Sequence, residues 1–305
     1  MARRSRATSK GKAHRFGGDW TSTKLDVLAR YLSAYTTALK DSPFRKAYID
    51  AFAGTGYRTE RIDLPDGATS EALLFPDLAD AGPQQLLDGS ARLALKVQPR
   101  FDRYIFIERD AERCRELEAL KGEFPDLAST IRVGQGEANE EIQKLCAKDW
   151  TSHRAVLFLD PYGMQVEWQT IEAIARTKAI DLWLLFPLGI GVNRLLTRSG
   201  AIPRGWRTRL DKLLGTSNWY EEFYKVEHRA TLFGNDEERV VKATNETIGR
   251  YFNDRLKTIF AGVADPGVLR NSANCPLYLL CFAAANEKGA PIALKIANHL
   301  LREVR

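Results

Sequence analysis

Residues 46–56, Lys-Ala-Tyr-Ile-Asp-Ala-Phe-Ala-Gly-Thr-Gly, constrain the fold more than any other stretch of the chain. A strand-like apolar burst ends in a carboxylate, Asp50, and then in a small-residue loop, Ala53-Gly54-Thr55-Gly56. A buried parallel strand that runs into glycines predicts the first strand-to-helix turn of a nucleotide-binding α/β sheet. Glycine lets the backbone approach a ligand that a Cβ would block. The spacing is not G-x-G-x-x-G, because the third glycine is missing, and this counts against a dinucleotide. Read alone, Gly54 and Gly56 also fit a plain tight turn.

Three later strand ends carry acids in the order such a sheet requires. The stretch 103–108, RYIFIE, predicts a second strand ending in Glu108-Arg109-Asp110. A carboxylate at that tip is placed to accept both ribose hydroxyls of a nucleoside; the alternative is an acid at a helix N-terminus. A short third strand, 130–133, leads into Gly134-Gln135-Gly136-Glu137-Ala138-Asn139. There Glu137 either accepts from an exocyclic amine such as adenine's or is an exposed loop acid. The fourth strand, Ala155 to Leu159, is a continuous apolar run followed by Asp160-Pro161-Tyr162-Gly163. Continuous runs suit central parallel strands. Burying Val156, Phe158 and Leu159 stabilises the fold by roughly 1.5–3 kcal/mol each.

Asp160 and the Pro161 carbonyl can each accept an N–H of an amino group, and Tyr162 can stack on a planar base. Together they can aim an amine at an electrophilic methyl without a strong base. The bland alternative is a Pro-Tyr-Gly turn capped by Asp160.

Charge is unevenly placed. The net charge is +6, and residues 1–18 hold six basic side chains and no acid. The other basic residues match the 39 acidic ones. This tail of Arg, Ser, Thr and Gly has little to bury, so disorder is expected. It is either an arm on nucleic acid phosphates or simply solvated. No run of eighteen apolar residues and no apolar leader occurs, so neither a membrane span nor a secretory signal is expected, and a cytoplasmic protein is. Cys114, Cys146, Cys275 and Cys281 lack C-x-x-C spacing and read as reduced thiols or core residues. The histidines 153, 228 and 299 are too dispersed for a metal site or a Ser-His-Asp arrangement.

The remaining pattern fills in one domain, 19–305, with insertions at about 57–89 and 190–245. A first helix from Trp20, capped by Thr21 or Ser22, carries Leu25, Leu28, Leu32 and Leu39 and stops at Pro43. Residues 57–89 lack periodicity and are expected to be a lid or binding loop, or disordered. Helices are expected from Ser90 to before Pro99, over 111–120, 140–148, 242–260 and 291–300, and strands over 180–186 and 277–282. Between them Arg194, Arg198, Arg204, Arg207, Arg209 and Lys212 surround Trp206, with Trp219, Tyr220, Phe223 and Tyr224 beyond. Basic side chains interleaved with aromatics suit a nucleic acid strand, phosphates on Arg and bases on rings. A solvated amphipathic insertion is the alternative.

Asp50-Ala51-Phe52-Ala53-Gly54-Thr55-Gly56 resembles motif I of class I S-adenosylmethionine-dependent methyltransferases, and Glu108 matches their ribose-binding acid. Asp160-Pro161-Tyr162-Gly163 is similar to their amino-methyltransferase motif, with the aromatic third rather than fourth. The wider set, Trp20-Thr21 with Lys24-Leu25, YIDAFAGTG, FIERD, GEANEEI and FLDPYG, resembles the bacterial three-Cys-motif partner proteins over roughly residues 14–300. The resemblance implies a Rossmann-like α/β class I methyltransferase fold, mainly parallel with an antiparallel last strand. It further implies S-adenosylmethionine held by Asp50, Phe52, Ala53, Gly54, Gly56, Glu108, Arg109, Glu137 and Asn139. Asp160, Pro161 and Tyr162 would be catalytic, and Arg204, Trp206, Arg207 and Arg209 would hold substrate. The expected function is methyl transfer to an exocyclic amine of a base in RNA or DNA. The alternative is a non-catalytic, nucleotide-binding partner of a three-cysteine-motif protein.

Overall fold

The structure, a computed structural model, describes residues 19–53, 89–161, 163–230 and 236–304. The tail, the loop with Gly54 and Gly56, most of the first insertion, and Tyr162 lie outside these residues. Ten strands are described: β1 (Arg45–Asp50), β2 (Arg103–Glu108), β3 (Ile131–Gln135), β4 (His153–Leu159), β5 (Ile180–Phe186), β6 (Tyr224–Ala230), β7 (Asp236–Lys242), β8 (Gly262–Val263), β9 (Gly267–Arg270) and β10 (Pro276–Ala284).

The principal sheet runs β3-β2-β1-β4-β5-β10-β8, and β9 also pairs with β10. The first five strands are mutually parallel, whereas β10 is antiparallel to β5, β8 and β9. Outward order from β1 reverses between β1 and β4, so the strand ends diverge there and leave a crevice at the carboxyl edge. This is a Rossmann-like class I methyltransferase fold.

The central strands are buried because helices cover both faces. Val156, Leu157, Phe158 and Leu159 of β4 and the whole of β5 are buried. On one face lie α1 (Asp19–Ala38), α2 (Ser90–Lys96) and α3 (Ala111–Glu123). On the other lie α4 (Ala138–Cys146), α5 (Trp168–Arg176), α6 (Arg204–Leu214), α7 (Trp219–Phe223) and α8 (Asn245–Lys257). The last helix, α9 (Ala290–Arg302), returns beside α1, where Arg30 Nη2 donates to Glu303 Oε1 at 2.9 Å.

Several boundaries differ from the sequence reading. Helix α1 already includes Asp19, so Thr21 and Ser22 sit inside its first turn rather than capping it. Its buried stripe is Lys24, Val27, Leu28, Tyr31, Leu32 and Tyr35, and Leu25 is only half-buried. The second insertion is not wholly helical. Its strands β6 and β7 form a separate antiparallel hairpin, off the principal sheet, with Val226 paired to Val240 and both exposed. Helix α8 starts after that hairpin, with Thr244 Oγ1 accepting from the Thr247 N–H at 3.2 Å. No helix among the described residues is long and apolar enough to cross a membrane.

Candidate functional site

The carboxyl edge of the sheet gathers the predicted acids. Asp50 ends β1 beside Phe158 of β4 and Phe106 of β2, and Glu108 ends β2 beside Gln135 of β3. Past the tips, Ala51 N–H donates to the Phe158 carbonyl at 3.4 Å and Ala53 N–H to the Ile107 carbonyl at 3.3 Å. These bonds tie the start of the glycine loop across both neighbours of β1. Phe52 is half-buried and Ala53 buried.

Asp50 is buried, and the Tyr48 hydroxyl donates to its Oδ2 at 3.2 Å. Burial pushes its carboxyl up to about 6; the hydroxyls of Ser90 and Tyr48 and the Phe52 backbone pull it down, and the Asp160 charge adds to the rise. Among the described residues, its Oδ1 is buried without a hydrogen-bond partner. A buried polar atom left so costs about 1–3 kcal/mol. Glu108 is buried too, and burial raises its carboxyl above the usual range against the pull of the Asp110 N–H, which lies 2.8 Å from Oε1. Arg109 beside it is exposed.

Glu137 and Asn139 are built differently. Glu137 caps α4, its Oε2 accepting from the Glu140 N–H at 3.0 Å and its Oε1 from Asn139 Nδ2 at 2.8 Å. Asn139 Nδ2 also donates to the Gln165 carbonyl at 2.8 Å, and its Oδ1 accepts from the Glu167 N–H and the Thr170 hydroxyl, both at 2.9 Å. Its amide group is therefore fully used in holding residues 165–170, the segment that follows the Asp-Pro-Tyr-Gly turn, against α4.

Asp160 follows β4, with Pro161 buried and Gly163 at φ +67°. That backbone conformation is costly for any residue with a Cβ, so Gly163 fixes the turn. The Asp160 Oδ2 accepts from Lys24 Nζ of α1, and the lysine is as buried as any core residue. The ammonium also lies 5.0 Å from the Trp20 ring centre, and Trp20 packs on Tyr278 of β10 at 5.1 Å. Sequence reasoning gave Lys24 no role in the chemistry. The signal was a lysine in register with Val27, Leu28 and Tyr31, where a solvated face should not be.

The expected substrate residues stand on α6, reached from β5 by a π-helical turn, Leu188–Val192. The turn packs against the segment after β4: a Cβ on Gly191 would meet Met164 at 3.4 Å and Pro187 at 2.9 Å. Leu210, Leu213 and Leu214 bury the inner face of α6, and Lys212 Nζ donates to Glu167 Oε1 at 2.8 Å. So α6 rises beside the same edge. Arg204 and Arg207 are exposed, with the Arg207 guanidinium 4.8 Å from the Tyr220 ring centre. Trp206 and Arg209 are half-buried, Trp206 against the core. Trp219 and Phe223 correct the sequence reading: both are fully buried, and Trp219 Nε1 donates to Asp211 Oδ1 at 2.7 Å, so neither offers a ring for stacking. Among the described residues, no group of three or more His, Cys, Asp or Glu could hold a metal ion.

No family model matches the chain, and no curated protein does. Similar solved structures include a Legionella pneumophila protein at 12% identity, covering 94% of this chain and 93% of that one, with a TM-score of 0.42. An Escherichia coli protein described as a methyltransferase, yhhF, has 14% identity, coverages of 71% and 86%, and a TM-score of 0.29. A Listeria monocytogenes protein described as an S-adenosylmethionine-dependent methyltransferase has 8% identity, coverages of 85% and 97%, and a TM-score of 0.33. Such distant likenesses add nothing to what the strand order already says.

Proposed function

We propose that the protein is an S-adenosylmethionine-dependent methyltransferase acting on an exocyclic amine of a nucleic acid base. The observation that carries the reading is the placement of Asp160-Pro161 on the same sheet edge as two buried, strained-in-charge carboxylates, Asp50 and Glu108. The orphaned Oδ1 of Asp50 fits a ligand that brings donors to the tips. S-adenosylmethionine would supply the methyl group.

In this reading Asp50, Phe52, Ala53, Glu108 and Arg109 hold the cofactor, together with Gly54 and Gly56. Glu137 contributes whatever lone pairs its capping role leaves, and Asn139 positions the segment after Asp160. Lys24 fixes Asp160 by its Oδ2, leaving Oδ1 to accept an N–H of the target amine, and the Pro161 carbonyl accepts the other. Two acceptors orient the nitrogen lone pair; Tyr162 stacks on the base. Arg204, Trp206, Arg207 and Arg209 contact the nucleic acid beyond the reacting base.

The Lys24–Asp160 pair also favours a second reading. A carboxylate already held by a buried ammonium can be a structural lock, and the protein is then a nucleotide-binding or regulatory partner of a three-cysteine-motif protein. Calorimetry with S-adenosylmethionine, followed by transfer of labelled methyl to whole-cell RNA and DNA, separates the two. Cofactor binding with incorporation into base amines supports the enzyme. Binding without incorporation supports the second reading, and no binding removes both.

A further inference from the structure

The opposite, amino edge of the sheet carries a second feature that no part of the methyl-transfer reading uses. The starts of β1, β2 and β4 lie in register, Arg45 beside His153 and Ala47 beside both Arg103 and Ala155. Side chains alternate along a strand, so Arg45, Arg103 and His153 share the face that α4 covers higher up. Helix α4 stops at Cys146, short of this end. What remains is a cleft of about 480 Å³. Its floor is Ala47 and Ile105, its wall Leu145 and Trp150, and its rim Arg45, Lys46, Arg103, Lys148 and His153.

The cleft keeps an excess of positive charge: Arg45, Lys46, Arg103 and Lys148 against Asp102 and Asp149. Among the described residues, Arg45, Lys46, Arg103 and Lys148 make no ion pair. The two acids of the lining accept from neutral donors. Asp102 Oδ2 accepts from the Lys46 N–H at 2.7 Å, and Asp149 accepts from the Thr151 N–H and hydroxyl at 2.9 and 3.0 Å. Trp150 is anchored, its Nε1 donating to the Leu145 carbonyl at 3.2 Å, so its ring stands as a fixed wall. A second cleft of about 400 Å³ shares Lys148, Asp149 and Trp150 and continues to Arg154, Arg176 and Lys178. The two clefts meet at Trp150; in the second, Arg176 pairs with Glu172 at 2.9 Å and Lys178 with Glu287 at 3.3 Å, so among the described residues the unpaired cations are those of the first.

Cations that lack partners around an apolar floor, with an aromatic wall, match the two halves of a nucleotide: phosphate and base. The two clefts together outrun one nucleotide. We infer that the amino edge binds a single strand of nucleic acid, with phosphates on Arg45, Arg103 and Lys148 and a base against Trp150. This second contact lies across the sheet from Asp160 and does not depend on methyl transfer.

The test is fluorescence anisotropy with a 5′-fluorescein-labelled 12-nucleotide oligouridylate, full chain, over a salt series. The variants are Arg45→Glu with Arg103→Glu, Lys148→Glu alone, and Arg204→Glu with Arg207→Glu on the other edge. All these side chains are exposed, and circular dichroism with thermal melts checks that each variant folds. The amino-edge double variant should weaken binding tenfold or more and flatten the salt slope by about 1.4, from two lost phosphate contacts on a single strand. Lys148→Glu should act in the same direction, by less. Unchanged affinity and slope in both, or no binding by the wild type, overturns the inference. Loss only in the Arg204/Arg207 variant also overturns it, while leaving the substrate reading of α6 intact. Competition by uridine monophosphate at the same concentration as the unlabelled 12-mer would show a mononucleotide site and overturn the strand assignment.

Discussion

Lys24 and Asp160 are 136 residues apart in sequence and form one ion pair, with the lysine 1% exposed and the aspartate 21%. Removing one member of a buried pair costs more than the pair contributes, because the other charge is left in a poor solvent. Lys24→Met should therefore lower stability by about 1–3 kcal/mol, discounted from a fully buried pair for the exposure of Asp160. Denaturant unfolding checks this. Adding Asp160→Asn to Lys24→Met should recover part of the loss, and strictly additive effects would show that the two do not interact.

The same pair decides which Asp160 variant reports on chemistry. Asp160→Ala strands a buried ammonium, so its effects mix folding with function. Asp160→Asn keeps one of the two acceptor oxygens and puts an NH2 in place of the other, so Lys24 and an amine compete for it. The variant should bind S-adenosylmethionine as the wild type does and retain partial single-turnover methyl transfer. Wild-type turnover in a folded Asp160→Ala protein would remove Asp160 from the reaction.

Glu108→Gln should weaken S-adenosylmethionine binding by roughly tenfold to a hundredfold, since hydrogen bonds to a charged acceptor contribute about 1.5–3 kcal/mol each. Titration calorimetry gives the value. Because burial holds the Glu108 carboxyl above its usual range, wild-type affinity should also fall as acid protonates it, and that pH dependence should vanish in the variant.

Asn139→Ala removes four hydrogen bonds, three that fasten residues 165–170 and one to Glu137. At about 0.5–1.5 kcal/mol each, the loss should be on the order of 2–6 kcal/mol. Amide exchange should accelerate first at Glu167 and Thr170, with cofactor affinity much less affected than methyl transfer.

Asp181 supplies a pH prediction. It is buried in β5, accepts from the Tyr31 hydroxyl at 2.6 Å, and burial lifts its carboxyl from 3.8 to about 7. A folded value above the unfolded one means that the folded state binds the proton more tightly. The contribution is full below pH 3.8 and is lost as pH rises towards 7, by roughly 1.4 kcal/mol per unit of difference. Asp50, lifted to about 6, acts with the same sign. Asp181→Asn keeps an acceptor for Tyr31, should be more stable than the wild type at pH 8, and should flatten the decline across this window.

The strands that carry the site were legible because both their faces are buried. β2, β4, β5 and β10 are near-continuous apolar runs, and a chain has few other ways to hide them. The tips followed, since Asp50, Glu108 and Asp160 stand where those runs end. Less visible were elements without a one-sided pattern. The β6–β7 hairpin alternates charges with exposed valines, so no apolar face marks it as a strand pair. Trp219 and Phe223 looked available because composition does not say which way a ring points; α7 turns both inward. Lys24 was hidden by its residue type, a cation inside an apolar stripe whose partner lies on another element.

Helix α1 also sets an order of events in the making of the protein. Beside the nearby Gln98 and Phe101, its partners include Asp160, Asp181, Tyr278, Phe282 and Glu303, which leave the ribosome long after it. Contacts so distant in sequence form late. Part of the seat of Lys24's helix, Tyr278, Phe282 and Glu303, is made only after Asp160 has left the ribosome. A nascent or C-terminally shortened chain should therefore carry Asp160 without the seated helix that brings Lys24 to it.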